Sequence, residues 1–236
     1  MIKLIHFKSD LKHIFREKII LLLFLIPLMI PVLFRLMTEL LVPFLNRYIT
    51  FSILPYQSYI LSATLLMTPF SLGVVMGFVM LDDKDGKISE LMSITPNGRL
   101  GYIVNRMMMI AVFTFIYTCF SYYVLHIYLI SLLTLLYISF LLCFYGSTLG
   151  LILFTIASDK VKGLTYAKGL NILLLFAFAD LLHSRWLTYL AYLFPPYWIT
   201  KIIEQPTNFI YVISGLITIL CWFLFFAGIT DKKVAF

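Results

Sequence analysis

Six long apolar runs alternate with shorter polar stretches along the chain, and few charges interrupt any run. A bilayer core of ~30 Å needs about 20 apolar residues per helix, so the pattern predicts six transmembrane helices. The predicted spans are residues 19–38, 57–81, 107–125, 128–157, 164–182 and 209–229. Ahead of them, residues 1–18 place Leu4, Phe7, Leu11, Ile14 and Phe15 on one side of a helical wheel. Lys3, Asp10, Lys12, His13, Arg16 and Glu17 fall on the other side, the pattern of an in-plane interfacial helix that favours anionic lipid. Pro27 and Pro31 predict a bend in the first span, and Arg35 and Glu39, four apart, predict an ion pair at its far end. Residues 40–56 read as an outer connection. Gly73 with Gly77, and Gly146 with Gly150, form two GxxxG motifs that permit close helix approach. The fourth run is longer than one crossing needs and must tilt or extend beyond the membrane. Residues 158–168 read as a short basic loop from which Lys168 can snorkel to the surface.

Two stretches break the apolar pattern. The first, DDKDGKISELMSITPNGRLGYIVNR at 82–106, carries three Asp, one Glu and four Lys or Arg with Gly86, Pro96, Gly98 and Gly101, and must face water. Within it Ile88, Leu91, Met92 and Thr95 recur at helical spacing, which predicts a short amphipathic helix ended by Pro96. Asp82, Asp83 and Asp85 precede that helix and are expected at its positive N-terminal end. Such a helix is either a coupling element for a partner or a solvated loop packed on its own bundle. The second stretch, 183–207, sets Trp186, Tyr189, Tyr192, Phe194, Tyr197 and Trp198 around Pro195 and Pro196. It is too apolar for a free loop and too broken for a span, so it reads as two short helices dipping into the outer interface as a re-entrant hairpin.

Composition agrees: 62% hydrophobic residues, 12% charged residues and a mean hydropathy of +1.00 exclude an ordinary soluble domain. The net charge of +7 is spread over the connections and builds no basic domain, so it reports topology and not a nucleic-acid partner. Fourteen of the eighteen Lys and Arg residues lie on the side that holds both termini and residues 82–106. The positive-inside rule places that side in the cytoplasm and the protein in the plasma membrane. Cys119, Cys143 and Cys221 have no CxxC spacing and no clustered His, and read as buried, reduced packing residues with no metal implied. The first apolar run starts at Ile19, lacks a small-residue cleavage site and is expected to stay as an anchor.

Motifs for chemistry are missing. There is no GxxxxGK[ST] phosphate loop, no HExxH and no GxSxG, so no catalytic residue and no cofactor is assigned. Asp180 and His183, three apart near the outer end of the fifth span, could handle a metal or a proton, but Arg185 beside them favours a surface role. With His126 they are the residues an intramembrane enzyme would have to use. Asn171, deeper in the same span, reads as an interhelical hydrogen-bonding residue rather than a substrate ligand. A further alternative is an immunity or interaction protein that sequesters a toxic peptide without transport.

Residues 82–106 resemble the cytoplasmic segment between the second and third spans of the ABC-2 type permeases, the membrane subunits of type V ABC exporters. The resemblance is carried by the acidic cluster Asp82, Asp83 and Asp85, then Gly86, Glu90-Leu91, Thr95-Pro96 and Arg106. The amphipathic N-terminus, six spans with both ends inside, and the Pro-containing segment Leu193–Trp198 are similar too. Asp stands where the family usually has Glu, and Lys87 where it has Thr. The resemblance implies an all-α polytopic fold with a coupling helix, and ATPase-coupling residues Asp82, Asp83, Asp85, Gly86, Ile88, Glu90, Leu91, Met92, Thr95, Pro96 and Arg106. It also implies a second permease as homodimer or heterodimer, and two copies of an ATPase subunit that holds ATP and Mg. The path would run between facing second and fifth spans, lined by Met67, Phe70, Met76, Phe78, Asn171, Phe176 and Phe178, with Phe194, Pro195, Pro196, Tyr197 and Trp198 as outer gate. Such apolar walls suit export of a hydrophobic or amphipathic cargo: a drug, a peptide or a lipid-like molecule.

Overall fold

The computed structural model describes residues 12, 14–48, 52–86 and 98–234, and within them the side chains of all but 98–100 and 232–234. The long helices are α1 (Lys18–Leu45), α2 (Gln57–Asp85), α3 (Gly98–Leu125) and α4 (Leu132–Ile156). Then come α5 (Lys160–Leu170), continued by a 3₁₀ helix (Asn171–Leu182), the short α6 (Arg185–Ala191) and α7 (Pro195–Glu204), and finally α8 (Phe209–Val234). Among the described residues six stretches are long and apolar enough to cross a membrane: α1, α2, α3, α4, α5 with its 3₁₀ continuation, and α8. The described residues contain no strand, so the chain is an all-α polytopic membrane protein.

Helix ends differ from the hydropathy reading where polar groups extend the helices. The first span runs on through the expected outer connection to Leu45, and Arg35 bonds both Glu39 (2.8 Å) and the Val124 carbonyl near the end of α3 (3.1 Å). A carbonyl in the last turn of a helix lacks an intrahelical partner, so the guanidinium satisfies it. α3 begins at Gly98, well before the predicted 107. α4 begins only at Leu132, because the Ser131 hydroxyl accepts the Thr134 N–H at 3.2 Å and caps the helix there. Most of the expected basic loop 158–168 is helix: Asp159 Oδ1 accepts the Lys162 N–H at 2.9 Å and starts α5. That backbone N–H and the Ser158 hydroxyl hold the Asp159 carboxyl below its ordinary pKa. Of the expected interfacial helix, residues 1–11 and 13 lie outside the described residues. Residues 14–16 are helical, and Ile14 is buried in the core.

α2 and α4 form the centre. Within the span windows 89% of α2 and 72% of α4 is buried inside the chain, against 22% of α1 and 11% of α8. The two GxxxG motifs face each other across this contact. A Cβ on Gly73 would stand 2.5 Å from the Gly146 carbonyl oxygen, and one on Gly150 would stand 2.9 Å from the Gly73 oxygen. A Cβ on Gly77 would run into Leu153, and one on Gly146 into Pro69. Lipid removes the hydrophobic drive for helix association, so close backbone packing must supply it, and glycine permits that packing. Ser62, Thr64, Ser139, Ser147 and Thr148 return their hydroxyls to carbonyls one turn back, so these hydroxyls are satisfied inside the helices.

Around this pair, α1 buries the stripe Ile20, Phe24, Pro27 and Pro31. Phe24 meets Phe113 and Tyr117 of α3, with ring centroids at 4.9 and 5.5 Å. The buried prolines lie on the packed side, where the carbonyls they free are shielded from lipid by neighbouring helices. Replacement of Gly73 by Ala is expected to force α2 off α4. It should cost about 1–3 kcal/mol, read as a lower thermal midpoint in detergent. Gly228→Ala should leave the midpoint unchanged, since a Cβ there meets nothing within 4 Å.

Candidate functional site

The long helices place two polar clusters at opposite ends of the bundle. At one end, Asp82, Asp83 and Asp85 form the last turn of α2 and so stand at its negative C-terminal end, while the helix they were expected to precede lies outside the described residues. Cations from other helices compensate. Asp83 and Arg106, 4% and 7% exposed, form a buried ion pair, and the Tyr102 hydroxyl donates to Asp83 Oδ2 at 2.7 Å. The Arg106 guanidinium also lies over the Tyr102 ring, 5.4 Å from its centroid. Arg106 and Tyr102 belong to the early turns of α3, so this group locks the outgoing end of α2 to the incoming part of α3.

Asp82 accepts from Lys160 Nζ at 2.9 Å, and Lys160 pairs at the same time with Glu17 just before α1. Asp85 and Gly86 are exposed, and the Gly86 N–H caps α2 on the Asp82 carbonyl at 2.9 Å. The structure therefore brings together Asp82, Asp83 and Arg106 of the predicted coupling set. Ile88, Glu90, Leu91, Met92, Thr95 and Pro96 lie outside the described residues. Glu17, Tyr102 and Lys160 were absent from the predicted set. The partners lie 143 and 78 residues apart for Lys160, a separation with no local signal in the sequence.

At the other end, α6 and α7 form the expected pair of short helices. Phe194 is extended, and Pro195 and Pro196 open the first turn of α7, where a missing N–H costs nothing. The Phe194 ring stacks on Phe176 of the 3₁₀ helix at 4.0 Å and 3°. Trp198 Nε1 donates to the Tyr192 carbonyl at 2.8 Å, and Trp222 Nε1 of α8 to the Leu193 carbonyl at 2.9 Å. These contacts fix the hairpin to the fifth and sixth spans.

Beneath it lies a charge cluster that sequence reasoning missed. Lys201 Nζ sits between Asp180 (2.5 Å) and Glu204 (2.8 Å), while Asp180 also accepts from Thr188 (3.1 Å) and Tyr197 (3.4 Å). Tyr59, at the start of α2, lies close enough to feel the charges of Glu204, Lys201 and Asp180. Burial alone would lower the Lys201 pKa, but the two carboxylates outweigh it and hold the ammonium above the ordinary lysine range. Burial, then the Asp180 charge, pushes the Tyr197 hydroxyl upward. The signal in the sequence was the pair Lys201 and Glu204, three apart on one amphipathic helix.

Asp180 and His183 take separate structural roles, in line with the surface role that Arg185 favoured. Asp180 is occupied by Lys201, whereas His183 turns its ring Nδ1 to the Asp180 and Leu181 carbonyls, both at 3.1 Å. His183 and His126 have φ of 53° and 42°, and each follows the end of a helix in left-handed conformation. Cys119 and Cys143 are half-buried free thiols, but Cys221 is exposed on α8 rather than buried.

Among the residues expected to line a path, Met67 and Phe70 are half-buried along the outer part of α2 with Tyr59 and Ala63. Phe176 and Phe178 are half-buried on the 3₁₀ helix, and Asn171 is exposed at its start. Tyr59 and Phe178 meet at 6.2 Å. Met76 and Phe78 are instead fully buried in the core, under the close approaches of Gly150 and Gly163, and are packing residues in this structure.

Six spans, two short helices between the fifth and sixth, and a clamp at the root of the connection between the second and third define a polytopic membrane protein. The family model of the fluoroquinolones export permease protein Rv2686c-like matches residues 10–227. The chain belongs to this family of export permeases, and so to the membrane subunits of ABC-2 type exporters, whose partner is an ATPase subunit. No curated protein and no solved structure matches the chain significantly.

Replacing Arg106 by Leu strands the buried Asp83 carboxylate and should cost about 3–5 kcal/mol of stability. Adding Asp83→Leu should restore most of the loss, read as thermal midpoints in detergent.

Proposed function

We propose that the chain is the membrane half of an ATP-driven drug exporter, with residues 82–106 and both termini in the cytoplasm. The observation that carries this reading is the clamp at the root of the loop. A helix docked on an ATPase can move a bundle only if its anchors are stiff, and the Asp83–Arg106–Tyr102 group ties α2 to α3 on either side of residues 87–97. Closure of two ATPase subunits on ATP would then bias one packing of two permease halves over another.

The family description supports a fluoroquinolone-like cargo. Such a molecule is a planar aromatic ring system with charged substituents, and it suits a wall of Met67, Phe70, Phe176 and Phe178 with the polar Asn171 nearby. A second copy of this chain or a related permease would supply the facing wall. The hairpin of α6 and α7, closed by Phe194 on Phe176, would serve as the outer gate.

The test is affinity capture of the tagged chain from mild detergent, with partners identified by mass spectrometry. An ATPase bearing a phosphate loop is expected with the unaltered chain, and Leu91→Asp, which sets a charge in the apolar stripe of the predicted docking helix, should lose it. Absence of any ATPase from the unaltered sample, under conditions that keep membrane complexes intact, would contradict the reading.

A further inference from the structure

We infer that Lys160 is a positioning residue of the transport cycle, whose ammonium makes the first turn of α5 follow the root of the 87–97 connection. The inference rests on the exporter reading for what the movement serves, but the physical tie stands on its own geometry.

Charge placement is the first ground. A helix favours acids in its first turn and bases in its last. α2 ends on Asp82, Asp83 and Asp85 with Lys84 among them, and α5 is capped by Asp159 but carries Lys160 and Lys162 in its first turn. Asp83 is already matched by Arg106. Asp82 and Lys160 each stand at the helix end that disfavours its charge, and each is compensated by the other at 2.9 Å, with Glu17 on the far side of the same ammonium. Drawing the ends apart would remove these ion pairs and leave both charges at a disfavouring helix end.

The second ground is how lightly α5 is otherwise held. Only 22% of the span window formed by α5 and its 3₁₀ continuation is buried. Along α5 the buried residues are the small Gly163 and Ala167, while Val161, Leu164, Tyr166 and Lys168 are exposed. Gly163 rides on Phe78 and Leu81 of α2, where an added Cβ would stand 3.0 Å from each. Such a contact offers little side-chain interlock, and the ammonium of Lys160, held from two sides, adds the polar tie at its end. Lys160 thus connects the segment before α1, the loop root on α2 and the helix proposed to wall the path.

Two arms test this, the first without any ATPase or cargo. Cys119, Cys143 and Cys221 are replaced, spin labels are placed at Lys84→Cys and Val161→Cys, and the label separation is measured by pulsed electron paramagnetic resonance with the chain in nanodiscs. A narrow distribution is expected for the parent, a broad or two-peaked one for Lys160→Glu, and a narrow one again for Lys160→Glu with both Asp82→Lys and Glu17→Lys, which reverses every charge of the cluster. An unchanged distribution in Lys160→Glu would overturn the inference, and so would a broad distribution that the reversed cluster does not narrow.

The second arm uses the complex co-purified with its ATPase in proteoliposomes and a fluorescent fluoroquinolone as probe. Cargo moved per ATP hydrolysed should fall about fivefold or more in Lys160→Glu and stay near the parent's in Lys160→Arg, with ATPase binding retained in both. Equal coupling in the parent and Lys160→Glu would overturn the role in transport. A parent complex that neither binds an ATPase nor moves the probe would count against the exporter reading alone, and the first arm would still decide the tie.

Discussion

The contact between α2 and α4 is the constraint on which the rest of the structure depends. Apolar side chains gain nothing by leaving lipid for one another, so a membrane bundle must find its cohesion in close packing. Here the backbones approach until the carbonyl oxygens of Gly73 and Gly146 occupy the places that methyl groups would take. Every other span is laid on this pair. α1 and α3 cover one part of it, α5 rests on α2 through Gly163, and α8 lies on the outside with most of its surface free.

A rigid centre leaves movement to the periphery and to the ends. Polar clusters stand at both ends of the α2–α5 contact: Lys160 between Asp82 and Glu17 at one, and Lys201 between Asp180 and Glu204, with Tyr59 of α2, at the other. Between them the exposed and half-buried surface is mostly apolar or aromatic, with Thr165, Lys168 and Asn171 as its polar members. Ion clusters at the membrane boundary are specific without being greasy, since water is close enough to take up their members when they separate. The fifth span also changes from α to 3₁₀ helix at Asn171, next to Gly169, whose Cβ position is open. Long 3₁₀ stretches are uncommon and have weaker hydrogen-bond geometry than α-helix.

Hydropathy made the six crossings legible, because each must hide its backbone polar groups over ~30 Å. The double proline flanked by aromatics was enough to foresee the α6–α7 hairpin. The GxxxG spacings marked both glycine pairs, though nothing in either motif said that they would meet each other. Helix ends were less legible: polar residues such as Asp82–Asp85 and Gly98–Arg106 extend helices beyond the apolar run, and a hydropathy window stops too early. Least legible were the charge clusters. Asp180 and His183, three apart, could have shared a face, but the helix ends at Leu182, His183 turns left-handed with its ring on the Asp180 and Leu181 carbonyls, and the cation on Asp180 is Lys201 of α7. Met76 and Phe78 look like path residues by type, and only the Gly150 and Gly163 contacts show that they are enclosed.

The central claim is that this chain moves an amphipathic drug at the expense of ATP hydrolysed on a partner. It is tested most directly by uptake of a fluorescent fluoroquinolone into inside-out membrane vesicles. These vesicles would contain the chain with its co-purifying ATPase, intact or with the catalytic carboxylate of that ATPase neutralised. Uptake that requires both ATP and the intact ATPase is the predicted result. Uptake that persists with the disabled ATPase, or that is no greater than in vesicles lacking the chain, would contradict the account.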